Sequence, residues 1–265
     1  MSDILELTNV SIRYRDAEAD AVSEVTLGIP EYSITAIVGE SGSGKSTLIR
    51  SVIGLPSGGA RVTGGSILYR GTDLTRLDES RFRKLRGKSL SMIFQNAYAA
   101  LDPKKKIGYQ FTESLRVHAA VSKADGLKMM KSALADVGLT DTERVLGSYP
   151  FELSGGMTQR VAIAMATAVR ADLLLADEPT SALDVTMQAQ VVQSLMDLRS
   201  RTGTTIVMVT HNLGLASYMA DYLAVMYKGR LVDFGPTRAV IHEPKDDYTR
   251  RLIDAVPDME VGELD

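Results

Sequence analysis

The fold is decided by a glycine-rich loop, Gly39-Glu40-Ser41-Gly42-Ser43-Gly44-Lys45-Ser46. A β-rich apolar run at residues 33–38 precedes it, and a helical stretch at residues 47–53 follows it. This order of strand, G-x-x-x-x-G-K-S loop and helix is the context that a phosphate-binding loop requires. The glycines let backbone N–H groups wrap a phosphate, and the helix N-terminus adds roughly half a positive charge. The loop therefore predicts phosphate binding, with Lys45 reaching the β- and γ-phosphates and Ser46 ligating Mg²⁺.

Length and composition describe an ordinary globular protein and exclude several classes of function. The chain has 265 residues, 45% of them hydrophobic, and can bury a sizeable core. Its net charge of -3 gives no basic footprint, so we expect no nucleic-acid partner. The absence of cysteine excludes disulfides and thiolate-ligated metal sites. No apolar run approaches the roughly 18 residues of a membrane span, so we expect any membrane role to come through a partner.

A second candidate phosphate site opens the helical stretch that begins at Leu153-Ser154-Gly155-Gly156-Met157-Thr158-Gln159-Arg160. Ser154 is a good N-cap, and the two glycines leave the first N–H groups of the helix uncovered, so that an anion can approach them. Taken alone, the stretch would by default be interpreted as only a capped helix after Pro150. The phosphate loop upstream makes the anion site the stronger hypothesis.

Two acids follow an apolar run at residues 172–176, which is typical of a buried parallel strand. A buried, unpaired charge is strongly unfavourable, and Mg²⁺ beside Asp177 would remove that cost. Because successive side chains of a strand point in different directions, Asp177 can face the metal while Glu178 faces the water that attacks the γ-phosphate. His211 follows the predicted strand at residues 204–210 and is expected at the same carboxyl edge.

The remaining pattern predicts an antiparallel opening, an α/β core and a helical insertion. Further strands are expected at residues 4–10, 22–29, 66–69, 90–94, 222–227 and 231–234, and helices at 78–86 and 185–200. Residues 57–65 are interpreted as a glycine-rich connection. Residues 96–150 contain helical patterns and no strong strand, with apolar positions at spacings of three and four in Leu127, Met130, Leu134 and Val137.

These motifs stand in an order that resembles the nucleotide-binding subunits of ATP-binding cassette (ABC) transporters. The matching positions are residues 39–46, Gln95, the Leu-Ser-Gly-Gly signature at 153–156, Asp177-Glu178, residues 181–184 and His211. Residues 94–103, 182–190 and 242–250 resemble the peptide, opine and nickel importer group, the last of them through a His-Pro-x-Tyr-Thr-like ending. One departure is Met157, which stands where the signature usually has glutamine.

The resemblance implies an α/β fold with a phosphate-loop NTPase core, a mixed and mainly parallel sheet, an N-terminal antiparallel β part and an inserted α-helical sub-domain. A single nucleotide-binding domain is expected over residues 1–257, with the ATPase core at 1–95 and 160–240. The helical sub-domain with the signature would occupy residues 96–159, and residues 258–265 would form a flexible acidic tail.

The resemblance also implies a role for each matching residue. Glu178 would be the general base, His211 would hold the γ-phosphate and the attacking water, and Gln95 would sense both Mg²⁺ and the γ-phosphate. Tyr14 would stack on adenine. The metal ligands would be Ser46, Gln95 and Asp177. Nucleotide contacts would come from Gly39, Ser41, Gly42, Gly44, Lys45, Ser46 and Thr47, and at the interface with a second cassette from Ser154, Gly155, Gly156 and Asp184.

The implied function is an ATP- and Mg²⁺-dependent ATPase that powers import of a small solute of the peptide, opine, metal-chelate or nickel type. Its expected partners are a second ABC ATPase subunit, either a different chain or a copy, two integral membrane permease subunits, and indirectly an extracytoplasmic solute-binding protein. Its expected location is peripheral, at the cytoplasmic face of the membrane. The alternatives are a soluble ABC ATPase not coupled to transport, or a phosphate-loop kinase or nucleotide-gated binding module. The kinase or binding module would leave residues 154–156 and His211 without a role.

Overall fold

The structure is a computed structural model that describes residues 2–118 and 121–256. The predicted tail at residues 258–265 lies outside the described residues. The strands, in chain order, are β1 (Asp3–Arg13), β2 (Val22–Pro30), β3 (Ile34–Val38), β4 (Arg61–Tyr69), β5 (Thr72–Asp73), β6 (Leu90–Ile93), β7 (Leu173–Asp177), β8 (Thr205–Val209), β9 (Tyr222–Tyr227) and β10 (Arg230–Pro236).

The α-helices, in chain order, are α1 (Lys45–Val52), α2 (Glu79–Leu85), α3 (Ala97–Ala100), α4 (Ile107–His118), α5 (Lys123–Asp136), α6 (Thr142–Gly147), α7 (Gly155–Ala168), α8 (Val185–Thr202), α9 (Leu213–Met219), α10 (Thr237–His242) and α11 (Asp247–Asp254). The chain forms two compact units. Among the described residues, the first consists of residues 2–84 and 205–256, and the second of the residues between 85 and 204. The predicted domain boundaries, with a helical sub-domain at 96–159, stay a prediction.

The first unit contains an antiparallel sheet with the strand order β2-β1-β4-β5. On β1 the buried positions Leu5 and Leu7 alternate as expected for a strand with one face in the core, but the next buried residue is Val10. A register shift lies between Leu7 and Val10, and Asn9 has a φ of 50°. This bulge inserts one residue and returns the later apolar side chains to the core face.

The first unit also contains the strand order β10-β9-β3-β8. In it β3 runs parallel to both β8 and β9, and β10 is antiparallel to β9. Every residue of β3 and of β8 is buried, which explains why their sequences are continuous apolar runs and do not alternate. The carboxyl ends of β3 and β8 lie at one edge because Ile37 pairs with Val209.

The second unit joins a parallel strand pair, β6 and β7, to helices α3 to α8. The described residues between these two strands contain helices and no strand, which agrees with the helical patterns in the sequence. One detail differs from the expectation. Met130, Leu134 and Val137 are buried, but Leu127 is 43% exposed, so the apolar face of α5 begins one turn later than the spacing indicated.

A second difference concerns β4, which begins at Arg61 and includes most of the stretch interpreted as a connection. Gly65 has a φ of 78°, and a Cβ atom there would lie 2.3 Å from the Thr8 carbonyl oxygen on β1. The glycine therefore permits close approach of two backbones beside the β1 bulge. Gly65 therefore belongs to a strand, although the glycine-rich composition of residues 57–65 suggested a loop.

Candidate functional site

The phosphate loop joins β3 to α1, and its glycines are required by close backbone contacts. Gly39 has a φ of 147°, and a Cβ atom there would lie 2.1 Å from the Met226 carbonyl oxygen. Gly44 has a φ of 95°, and its Cβ would lie 2.5 Å from the Ala21 carbonyl oxygen. Any side chain at either position would force the loop away from β9 or from the start of β2.

Lys45 lies inside the loop to which it belongs. The side chain is buried, and its Nζ donates hydrogen bonds to the carbonyl oxygens of Gly39 at 2.8 Å and Glu40 at 2.7 Å, and to Ser43 Oγ at 3.3 Å. The ammonium charge is therefore held at the N-terminus of α1, where the helix dipole has the same sign. This combination attracts a phosphate group.

The other residues predicted to bind nucleotide in the first unit lie around this loop. Ser41 and Gly42 are exposed at its tip, and Ser46 and Thr47 are half-buried in the first turn of α1. Tyr14 is half-buried, and its Oη lies 2.7 Å from Thr47 Oγ1. The sequence interpretation placed Tyr14 on adenine, and the structure places it beside the phosphate loop.

His211 lies two residues beyond the end of β8 and is exposed. Since β3 and β8 are parallel neighbours, it stands at the same sheet edge as the phosphate loop. Within the first unit, the structure therefore places Tyr14 against Thr47 beside the loop, and His211 at the sheet edge from which the loop leaves β3.

The second unit brings Gln95, Asp177 and Glu178 to one edge of the β6–β7 pair. Asp177 ends β7 and is completely buried, and Glu178 follows it with a φ of 45°. Gln95 lies two residues after β6, and its Nε2 donates a hydrogen bond to Glu178 Oε2 at 3.1 Å. A left-handed backbone conformation is uncommon for glutamate, and Glu178 combines it with this bond from the Gln95 amide.

The signature stretch opens α7 as the sequence predicted. Ser154 is the N-cap, and its Oγ accepts a hydrogen bond from the Met157 N–H at 3.3 Å. A Cβ atom at Gly155 would have no described atom within 4 Å, and one at Gly156 would meet Leu183 Cδ2 at 3.4 Å. The first turn of α7 is therefore uncovered at Gly155.

Asp184 is exposed and has a local structural role in addition to the predicted contact with a second cassette. It is the N-cap of α8, and its Oδ1 accepts a hydrogen bond from the Met187 N–H at 2.9 Å. This bond satisfies one of the free donors at the helix start.

The donors predicted for magnesium fit the chemistry of that ion. A serine hydroxyl, a carboxylate and an amide oxygen, from Ser46, Asp177 and Gln95, are hard ligands of the type that Mg²⁺ selects. The described part of the chain contains no group of three or more His, Cys, Asp or Glu residues that could hold a metal ion. Ser46 belongs to the first unit and Asp177 and Gln95 to the second, so a magnesium site made of all three stays a prediction.

The sequence interpretation missed Tyr248. Its Oη accepts a hydrogen bond from the Glu40 N–H of the phosphate loop at 3.0 Å. The one available signal was its place in residues 242–250, a stretch that resembles the ending of the peptide, opine and nickel importer group but to which the sequence assigned no role.

Comparison with known proteins identifies the family. The family model described as ABC transporter matches residues 22–181. The chain belongs to the ABC transporter family. As a member of this family it binds ATP and hydrolyses it, and the predicted fold class is confirmed.

Individual relatives of this ABC protein are similar over almost its whole length. It is 39% identical over 257 residues to a dipeptide transport ATP-binding protein, DppD, of Lactococcus lactis, covering 96% of this chain and 74% of the relative. It is also 39% identical over 260 residues to the oligopeptide transport ATP-binding protein OppD of Bacillus subtilis, covering 97% and 73%.

Solved structures agree with the sequence comparison. The dimeric post-hydrolysis structure of the ATP-binding cassette MJ0796, bound to ADP and Pi, superposes with a TM-score of 0.80 at 30% identity, covering 88% of this ABC protein and 99% of that cassette. None of the described helices has the length and apolar character needed to cross a membrane.

Proposed function

We propose that this ABC protein hydrolyses ATP to power the import of peptides through separate membrane permease subunits. The chemistry rests on one observation above all, the hydrogen bond from Gln95 to Glu178 at the end of a buried strand. The substrate class rests on the dipeptide and oligopeptide transport ATP-binding proteins, which are 38–39% identical over 94–99% of the chain.

Nucleotide binding is assigned to the phosphate loop. Backbone N–H groups of residues 39–47 and the ammonium of Lys45 hold the β- and γ-phosphates, and Tyr14 stacks on the adenine ring. Binding exchanges the bonds of Lys45 to Gly39 and Glu40, at least in part, for stronger bonds to phosphate oxygens. The loop then donates to the phosphates without a large change of backbone, because contacts beneath Gly39 and Gly44 already fix it.

Hydrolysis is assigned to Glu178, His211 and Gln95, acting on the nucleotide that the phosphate loop holds. Glu178 accepts a proton from the attacking water, and Gln95 orients the Glu178 carboxylate through its amide. His211 donates a hydrogen bond to the γ-phosphate. When bound by Ser46, Asp177 and Gln95, Mg²⁺ would neutralise charge on the β- and γ-phosphate oxygens.

The signature is assigned to the nucleotide of a second cassette, because the chain already has a phosphate loop of its own. Ser154, Gly155 and Gly156 would contact the γ-phosphate held by the other cassette, and Asp184 would lie at the interface. The dimeric state of the MJ0796 cassette supports this arrangement. The second cassette is either a different chain or a copy of this one.

The remaining partners follow from the importer assignment. Two integral membrane permease subunits would carry the peptide, an extracytoplasmic solute-binding protein would deliver it, and this chain would bind peripherally at the cytoplasmic face of the membrane. A soluble ABC ATPase not coupled to transport is the second candidate. It would account for the ATP chemistry alone.

Co-purification separates the two candidates. The tagged chain is expressed with its neighbouring membrane proteins, extracted in mild detergent, and its partners are identified by mass spectrometry. The proposal expects two integral membrane subunits, and ATPase activity that rises on adding a peptide-loaded binding protein and not on adding the unloaded one. Purification without any integral membrane subunit, and with peptide-independent activity, would favour the soluble ATPase.

A further inference from the structure

Helix α11, the last helix among the described residues, contacts the phosphate loop through the hydroxyl of Tyr248. Tyr248 lies in its first turn and is 6% exposed, and its Oη accepts the Glu40 N–H at 3.0 Å. Glu40 is the second residue of the loop. Its carbonyl oxygen accepts from Lys45 Nζ at 2.7 Å. The backbone of Glu40 is therefore held through its N–H by Tyr248 and through its C=O by the phosphate-binding lysine.

Tyr248 itself is fixed from three sides. Its ring stacks on Tyr227, with centroids 4.1 Å apart and an interplanar angle of 20°. Asp246 caps α11 and accepts from the Tyr248 N–H at 2.8 Å. The preceding residue, Lys245, donates its N–H to Asp233 Oδ2 on β10 at 2.8 Å. The hydroxyl is thus presented to the loop by a helix start that is anchored to the sheet.

Strand β9, which carries Tyr227, and the turn that follows it support the same loop at two further points. The Met226 carbonyl oxygen lies 2.1 Å from the position that a Cβ atom of Gly39 would take, and the Gly229 N–H donates to the Ser43 carbonyl at 3.2 Å. The stacked ring pair therefore belongs to one continuous support beneath residues 39–43. Burial raises the pKa of the Tyr248 hydroxyl, so the group stays protonated and neutral at physiological pH.

From these contacts we infer that Tyr248 is a positioning residue for ATP, and that α11 sets the conformation of the phosphate loop through its bond to Glu40. The inference deepens the proposed function, because it rests on nucleotide being bound by that loop. Tyr248 touches no phosphate itself. It acts by fixing the Glu40 peptide, so that the loop backbone already has its binding conformation before nucleotide binds.

The test compares two hydroxyl deletions in one ring stack. Tyr248→Phe keeps the ring and removes the acceptor of the Glu40 N–H, and little water can replace it at a site that is 6% exposed. Tyr227→Phe removes a hydroxyl from the partner ring, which makes no side-chain hydrogen bond to the loop among the described residues. Binding of ADP, and of ATP without Mg²⁺, to the full-length chain is measured by titration calorimetry.

The expected result is a dissociation constant for both nucleotides about 2- to 10-fold higher in Tyr248→Phe, the effect of losing one neutral hydrogen bond. The number of binding sites stays at the wild-type value, and Tyr227→Phe stays within twofold. A purely structural role would instead lower the number of competent sites and leave the dissociation constant unchanged. That pattern, or equal effects of the two variants, would overturn the inference.

Hydrogen exchange provides a second measurement that needs no nucleotide. In Tyr248→Phe, the Glu40 amide is expected to exchange faster while the amides of α11 keep their wild-type rates. Wild-type exchange at Glu40 would overturn the inference even if affinity fell. If the wild-type chain bound neither nucleotide, the proposed function would be overturned as well. If wild type bound nucleotide and Tyr248→Phe had the same dissociation constants as wild type, this inference alone would be overturned.

Discussion

Replacing Glu178 by glutamine is the sharpest perturbation of the proposed chemistry. The substitution keeps the size of the side chain, and its amide oxygen can still accept the 3.1 Å bond from Gln95 Nε2. The φ of 45° is as accessible to glutamine as to glutamate. The substitution should therefore lower the free energy of unfolding by at most the difference between a charge-assisted and a neutral hydrogen bond, about 1 kcal/mol. For a domain of this size, that corresponds to a decrease of roughly 2–4 °C in melting temperature.

The catalytic effect is expected to be far larger than that structural cost. Because an amide cannot accept the proton of the attacking water, turnover should fall about 10²–10⁴-fold, which corresponds to about 3–5.5 kcal/mol. The dissociation constant for ATP should stay within about threefold of wild type. Phosphate release at saturating ATP measures the first quantity, and equilibrium dialysis with labelled ATP measures the second.

A matched variant separates the base from the residue that orients it. Gln95→Ala removes the hydrogen bond to Glu178 and leaves the carboxylate in place. It should reduce turnover by about tenfold and less than Glu178→Gln does. Turnover of Glu178→Gln within about threefold of wild type, with intact folding, would refute the assignment of Glu178 as the general base.

Three further predictions concern the loop, a helix cap and pH. Lys45→Ala removes the buried ammonium and should raise the dissociation constant for ATP at least about tenfold by calorimetry, and an unchanged value would contradict the loop assignment. Asp184→Ala removes the cap of α8 and should cost about 1 kcal/mol in urea unfolding, whereas Asp184→Asn should restore most of it. Burial lowers the pKa of His118 from its ordinary 6.5, so the folded chain binds that proton less tightly than the unfolded chain does. The contribution of His118 to the free energy of unfolding is fully present above pH 6.5 and is lost as pH falls through the lowered pKa of the folded state. Between pH 7.5 and pH 5.5, the free energy of unfolding measured in urea should therefore fall less for His118→Gln than for wild type.

Much of the core could be predicted because burial on both faces leaves an unmistakable pattern. Strands β3, β7 and β8 are each buried at every residue, and each appears in the sequence as a continuous apolar run followed by polar groups. Because β3 pairs in parallel with β8, and β6 with β7, the polar groups that follow each pair meet at one edge of that pair. The pairing of Gln95 with Glu178 follows from this rule, although no sequence pattern specifies the bond itself.

The errors arose where a local signal had a non-local cause. The glycines of residues 57–65 resemble a connection in composition, yet Gly65 belongs to β4 because the β1 backbone passes close to it. Leu127 fits the helical spacing of α5, yet its side chain is 43% exposed. For Gly65 the deciding neighbour, the β1 backbone at Thr8, is remote in sequence.

Tyr248 shows the same limit within the site. Its hydroxyl contacts Glu40 across 208 positions of the chain, and no pattern around either residue indicates the other. Ser154 and Asp184 each have two roles in this account, as a helix N-cap and as a proposed contact with a second cassette, and only the first was predictable from the residue type. Their preference for N-cap positions is a general property of serine and aspartate, whereas a contact with a second cassette depends on a partner chain.

Peptide uptake into sealed vesicles tests the central claim most directly. Proteoliposomes are prepared from the purified membrane assembly with ATP and Mg²⁺ enclosed, and a labelled dipeptide is supplied outside with the solute-binding protein. The account predicts accumulation of the dipeptide that requires enclosed ATP and falls at least about tenfold when the assembly carries Glu178→Gln. Accumulation that is independent of ATP, or equal with Glu178→Gln, would contradict it.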